Sequence, residues 1–233
     1  MSAADVGPLL VVSALPEELV SSRKRLTDRR VVFGVTGDGP ANAARSLEAL
    51  IGKHRPRAIV AIGIAGALSP GLRFGDVLVA ETIVGDGATA IPHDAGLLAS
   101  AERAGARRST FVTVAAPVTS VGEKKRLLEE RGAAGSFAVD MESLAWARTA
   151  ASRSVPFVVL RAISDEAGEA LPGFLADCLG DGGGIDRGRV VRYALLHPAV
   201  VPSLISLRHL LVGASERLGP VVESLSSTEL RSR

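Results

Sequence analysis

At 233 residues, 47% of them hydrophobic, the chain has room for one large α/β domain and is too apolar for global disorder. Aromatic residues supply only 3%, so Val, Leu, Ile and Ala must build the core, and no stacking platform for single-stranded nucleic acid exists. A net charge of +2 with scattered basic residues excludes nucleic acid as an expected partner, and the single Cys178 excludes an internal disulfide and a cysteine-built metal site. The four histidines, His54, His93, His197 and His209, lie far apart with no metal-ligand spacing. No metal or other cofactor is expected, and the plain expectation for location is the cytoplasm.

In chain order, residues 6–15 are apolar but lack a basic flank and run into Pro16-Glu17-Glu18, so they read as a core strand rather than a secretory signal. Further short, β-branched runs follow at Val31–Val35, 58–64, 76–84, 110–114, 137–139 and 157–163. Several are apolar throughout rather than alternating, which suits strands buried on both faces. Helical stretches lie between them. One covers 41–53 after Gly39-Pro40, with Pro where a first turn tolerates it. A charged one covers 122–131 and stops at Gly132, and a third covers 141–154 after Asp140 as N-cap. This alternation predicts a three-layer α/β/α sandwich around a central, mostly parallel, mixed sheet. One domain over 1–233 is expected, with 180–233 as a helical C-terminal end beginning in a Gly-rich loop, Gly180–Gly184. In that end Val200, Leu204, Leu207 and Leu211 share one helical face, to be packed on the sheet or set in an apolar binding surface. No uninterrupted run is long enough to span a membrane: 190–212 is broken by Arg192, His197, Pro198, Pro202, Arg208 and His209.

Polar groups fall where an α/β sheet exposes them, at strand ends: Glu17-Glu18, Asp140-Met141-Glu142 and Ser164-Asp165. Singly, each reads as an N-cap or a solvated loop charge. Converging on one edge, they would make a two-sided acid–base site. Gly63 and Gly66 would let backbone approach a ligand closely. The Gly37-Asp38-Gly39 turn is not a dinucleotide fingerprint, because Asn42 stands where the third Gly is needed.

Val139-Asp140-Met141-Glu142-Ser143, followed by the run from Val155 to Ser164-Asp165, resembles the signature of methylthioadenosine/adenosylhomocysteine nucleosidases in the purine nucleoside phosphorylase superfamily. Gly63-Ile64-Ala65-Gly66-Ala67-Leu68, Gly75-Asp76-Val77 and Ala14-Leu15-Pro16-Glu17-Glu18 fit the same family in the same order. The resemblance implies a homodimer that binds a small-molecule nucleoside. It implies Asp165 as the acid protonating purine N7, which requires a carboxyl held protonated near neutrality, as desolvation at the end of a buried strand favours. Glu18 would deprotonate the attacking water. Glu142 would hold the ribose hydroxyls, with Met141 against the sugar face and Ser164, Ala65 and Gly66 lining the substrate. Arg161 would position the water; an ion pair with one of the carboxylates is the equal alternative.

Ile64 departs from the family, which often carries a hydroxyl residue there, and Glu17-Glu18 would repel a phosphate dianion. Water is therefore the expected nucleophile, and release of the base by hydrolysis the expected reaction. A phosphate-using phosphorylase and a non-catalytic nucleoside- or lipid-binding relative remain the alternatives. The chain is short between Gly85 and Thr110, where the nucleosidases carry a loop over the ligand, and its tail is unusual. In both features it resembles the hopanoid-associated phosphorylase branch, which implies a lipid-linked 5′-substituted adenosine (adenosylhopane) as substrate and peripheral membrane contact.

Overall fold

A computed structural model describes residues 7–85, 87, 94–132, 135–180 and 184–231. Seven strands form one mixed sheet. Its first strand, β1 (Leu9–Ser13), is buried at every position and pairs in parallel with β2 (Val31–Val35) and with β3 (Ala58–Ala67). β3 is the hub: beyond β1 it pairs in parallel with β7 (Phe157–Asp165), and its end turns antiparallel to β6 (Phe137–Asp140). β4 (Val77–Val84) is antiparallel to β7 and parallel to β5 (Arg107–Thr113), which is in turn parallel to β6. Five strands thus close into a small ring, β3-β7-β4-β5-β6, from which β1 and β2 extend as an open wing. Closure explains why β3 runs three residues past the expected 58–64: Gly66 and Ala67 pair with Val139 and Ala138 instead of ending in a loop.

The strands are apolar throughout because helices cover both faces. On one face α2 (Pro40–His54) contributes Ala43, Leu47 and Ile51, and α5 (Ser143–Ser152) contributes Trp146, Ala147 and Ala150. On the other lie α3 (Ala95–Arg103), through Leu97 and Ala101, and α7 (Val201–Arg231), through Ala214, Leu218, Val222 and Leu225. The expected three-layer arrangement is present, with α4 (Val121–Arg131) flanking β5 and β6 through Leu127 and Leu128.

Several elements carried no sequence expectation. A 3-10 turn at Pro16–Leu19 leads into a short α1 (Val20–Arg25), and α3 is capped by Asp94, which accepts from Leu97 N at 2.9 Å. The tail is two helices, α6 (Arg187–Leu196) and α7, joined by a 3-10 turn at Pro198–Val200. Only the second half of α7 packs on the sheet. The shortened lid expected between Gly85 and Thr110 falls in part on residues 86 and 88–93, outside the described residues, as are 181–183 of the Gly-rich loop.

The helix expected at 141–154 begins at Ser143. Asp140 turns its carboxylate onto the Ser143 N–H (3.3 Å) instead of leading straight into the helix. Met141 and Glu142 are left in a bend at the mouth of the ring.

Candidate active site

β7 is buried at all nine positions and yet carries Arg161, Ser164 and Asp165. A buried charge is tolerated only with partners, and the neighbouring strand ends supply them. Arg161 Nε donates to Asp140 Oδ2 at 2.9 Å, and its Nη2 donates to Ser143 Oγ at 3.1 Å and Glu142 Oε2 at 3.4 Å. The guanidinium carbon also lies 4.9 Å from the ring centroid of Trp146, whose indole N–H is held by Thr36 Oγ1 at 3.2 Å. Burial works against the charged guanidinium, and Asp140, Glu142 and Glu18 together outweigh it. Asp140 is saturated by Arg161, by Thr113 Oγ1 at 2.8 Å and by a contact with Ser143 Oγ. Of the two roles the sequence left open for Arg161, the ion pair is formed here.

Glu18 comes from the 3-10 turn after β1. Pro16 at the start of that turn folds the chain back, so the Glu18 carboxylate accepts from Leu15 N (2.9 Å) and reaches Ile64 N on β3 (3.2 Å). Burial pushes its carboxyl up to about 7 against the pull of Arg161 and the two N–H donors. Glu17, the adjacent carboxylate, turns outward to Arg187 at 3.1 and 2.8 Å.

Glu142 accepts from Gly39 N at 3.0 Å on the turn before α2. Burial holds its carboxyl well above the usual carboxylate range in spite of Arg161, and Asp38 and Asp140 add to the rise. Asp38 itself accepts from Ile185 N at 2.7 Å, tying the start of the tail to this edge of the site.

Asp165 closes β7. Its Oδ1 accepts from Ser164 Oγ at 2.6 Å, and Oδ2 is bonded by the ammonium of Lys124, which also donates to Glu166 O (2.7 Å) and Glu169 O (2.8 Å). Lys124 is 1% exposed. Asp165 is buried at the end of β7 as expected, and a buried cation that was not expected lies against it. Sequence reasoning missed Lys124 because α4 is charged along its length and reads as solvated. The one local signal is a cation near a helix N-terminus, where the helix dipole disfavours it.

The glycine segment acts differently at its two ends. A Cβ on Gly63 would fall 2.0 Å from Arg161 Nη1 and 3.0 Å from Glu18 Oε1, so Gly63 makes room for side chains rather than for a ligand. A Cβ on Gly66 would sit 2.9 Å from Asp165 Oδ2, and Gly66 also lines the cavity. The close approach expected of both glycines holds at the cavity only for Gly66.

These groups border a cavity of about 490 Å³ at the mouth of the ring. Glu18, Met141, Glu142, Arg161, Ser164, Asp165, Ala65 and Gly66 all line it, so the residues given a role by the resemblance are brought together, while Glu17 and Gly63 are not among its lining. Asp38 and Asp140 join them. The far wall is apolar: Leu171 and Leu175 from the loop after β7, Val190 and Val191 from α6, and Leu204, Leu207 and Leu211 from α7. Val200, expected on the same face as these leucines, lies outside the cavity. Among the described residues no group of three His, Cys, Asp or Glu side chains is arranged to hold a metal ion.

A carboxylate-bordered cavity at the ends of β3 and β7 places the chain in the class of α/β enzymes that act on N-glycosidic bonds, nucleosidases or nucleoside phosphorylases. The chain belongs to the phosphorylase superfamily, whose family model matches residues 17–177. The 5′-methylthioadenosine/S-adenosylhomocysteine nucleosidase of Staphylococcus aureus (strain JH9) is 32% identical over 174 residues, 65% of this chain and 75% of that protein. Among solved structures, a futalosine hydrolase mutant of Helicobacter pylori superposes with a TM-score of 0.73 at 17% identity, covering 96% of this chain and 100% of that one. The 5′-methylthioadenosine/S-adenosylhomocysteine nucleosidase of Neisseria meningitidis, in complex with methylthio-immucillin-A, superposes with a TM-score of 0.72 at 21% identity, covering 96% and 100%. At these identities the structural likenesses speak for the fold.

Proposed function

We propose that the chain hydrolyses the N-glycosidic bond of a 5′-substituted adenosine and releases adenine. The observation that carries this reading is the placement of Glu18 and Asp165 beside Gly63 and Gly66 of one strand. Both carboxyls border one cavity, Glu18 from the turn after β1 and Asp165 from the end of β7, so a base and an acid can face one bound nucleoside from two elements. Glu18 takes a proton from water, the water oxygen attacks C1′, and the C1′–N9 bond breaks with its electrons passing to the purine. Asp165, ionised in its resting pair with Lys124, takes up a proton as the nucleoside binds and gives it to N7. Lys124 then pairs with the carboxylate that remains. Glu142, with its proton shared towards Asp38, faces the ribose hydroxyls, and Met141 packs the sugar. Arg161 fixes Glu142 and Asp140, so its part is to position the carboxylate edge.

Water rather than phosphate is favoured by charge. The carboxyl groups of Glu18, Asp38, Asp140 and Glu142 border the cavity, the Arg161 guanidinium is already bonded to Asp140 and Glu142, and Arg187 at the rim is taken by Glu17, while Arg208 stands among the leucines of the far wall. A phosphate dianion at C1′ would meet carboxyl groups and no uncommitted cation beside them.

An apolar 5′ substituent, as in adenosylhopane, is supported by the apolar wall from Leu171 to Leu211. Burying 100 Å² of apolar surface there contributes roughly 2.5 kcal/mol before ordering costs. The test is kcat/KM for methylthioadenosine against an adenosine with a long apolar 5′ group below its micelle concentration. The native chain should prefer the second, and Leu204→Asp with Leu211→Asp should erase the preference. A native preference for methylthioadenosine that the double substitution leaves in place would reject the lipid-linked substrate while leaving hydrolysis standing.

A further inference from the structure

The helical tail has two apolar sides. Its inner side, Val190, Leu204, Leu207 and Leu211, walls the cavity. Its outer side is exposed: Leu195 is 78% accessible, Leu196 72% and Ile205 53%. Eleven large hydrophobic residues are exposed among the described residues, and seven of them fall in the 22-residue stretch from Val191 to Val212. Singly exposed apolar residues need no explanation, but a cluster of this kind marks an interaction surface. The same segment is one-signed in charge. From Arg187 to Ser215 it carries Arg187, Arg189, Arg192 and Arg208, with His197 and His209, and no Asp or Glu. Arg187 pairs with Glu17, Arg189 pairs with Asp186 and Arg208 lines the cavity, which leaves the exposed Arg192 as the positive charge beside the outer leucines.

We propose that α6, the elbow at His197–Val201 and the first half of α7 dock on the surface of an anionic lipid bilayer. Leucines reaching the acyl boundary with arginines beside them is the chemistry of an interfacial helix. An arginine near such a surface is drawn to it electrostatically. Pairing with a second copy through this segment would bring together two surfaces of the same net positive charge, with no acid within either to offset it. Spanning is disfavoured by packing. Pro198–Leu230 is long and apolar enough to cross a bilayer, but Ala214, Leu218, Val222 and Leu225 in its second half are buried in the core. The first half projects, anchored by the second. Docking in this way would set the apolar wall of the cavity against the bilayer, so that an apolar group could pass from lipid to cavity with little exposure to water.

The inference does not rest on the reaction, and its test reads binding alone. The purified full-length protein is floated with phosphatidylcholine vesicles and with vesicles containing 40% phosphatidylglycerol, at low and high salt. Binding to the anionic vesicles should be at least tenfold tighter and should weaken with salt. Leu195→Glu with Leu196→Glu, two exposed positions outside the cavity, should reduce it at least tenfold while turnover of a water-soluble nucleoside stays native. Arg192→Glu should remove the preference for anionic lipid. Absence of binding to either vesicle, or binding indifferent to these substitutions, would overturn the proposal. So would self-association in sedimentation that the Leu195/Leu196 substitutions abolish without vesicle binding, which would make the surface an interface between copies.

Discussion

Replacing Lys124 by Met tests the least expected feature of the site. The side chain keeps nearly its volume and loses its charge, so packing against α4 and the β7 end is retained. Asp165 is left buried without its counter-ion, and Glu166 O and Glu169 O lose the donor they share. Removing one partner of a buried pair costs about 3–5 kcal/mol, chiefly from the charge left behind. In a chain of this size each kcal/mol lowers Tm by about 2–4 °C, so Lys124→Met should melt roughly 6–20 °C below the native protein. Adding Asp165→Asn removes the orphaned charge and should restore at least about 2 kcal/mol, a coupling measurable by denaturant unfolding of all four proteins. A single substitution costing under about 1 kcal/mol, or a double variant no more stable than Lys124→Met, would refute the buried ion pair.

Other outcomes follow from the same geometry. Asp165→Asn should fold and lose base release by about 100-fold or more, the usual share of a positioned general acid, as measured by adenine formed per enzyme. Because Glu18 must be ionised to act and burial raises its carboxyl to about 7, kcat/KM should rise with pH through neutrality and level off above it. A flat profile between pH 6 and 8 would remove Glu18 as the base. The same rise has a stability sign. Between its unfolded value of 4.5 and about 7 the native state binds a proton that the unfolded chain does not, so Glu18 makes stability fall as pH increases across that window. Gly63→Ala should destabilise and inactivate together, because its Cβ would meet Arg161 at 2.0 Å, whereas Gly52→Ala in α2, where nothing lies within 4 Å, should stabilise by up to about 1 kcal/mol in thermal melts.

What the sequence revealed, and what it hid, divides along physical lines. The strands were legible because helices on both faces make them continuously apolar, as Leu9–Ser13 and Phe157–Asp165 show. Within those runs a charge is conspicuous, so Arg161 and Asp165 stood out, and the acids at the ends of β1 and β6 followed. Closure of the ring was not legible, because it depends on one short antiparallel contact at Gly66 and Ala67. Asp38 read only as part of a glycine turn, since nothing local shows that it meets Glu142 and the Ile185 N–H across the fold. Leu204, Leu207 and Leu211 were correctly grouped, Val200 was not, and the plain reading assigned the face to the sheet. Periodicity gives a helix an apolar side without saying what covers it. Here cavity and sheet share one long helix, changing over near Gly213.

The central claim is hydrolysis by water activated at Glu18, and isotopic labelling tests it directly. Adenosine derivatives are turned over in ¹⁸O-water, with and without millimolar phosphate, and the sugar product is weighed by mass spectrometry. The account predicts free sugar carrying one ¹⁸O at C1′, formed at the same rate in both conditions and lost in Glu18→Gln. A requirement for phosphate, with a sugar 1-phosphate as product and no ¹⁸O at C1′, would contradict it.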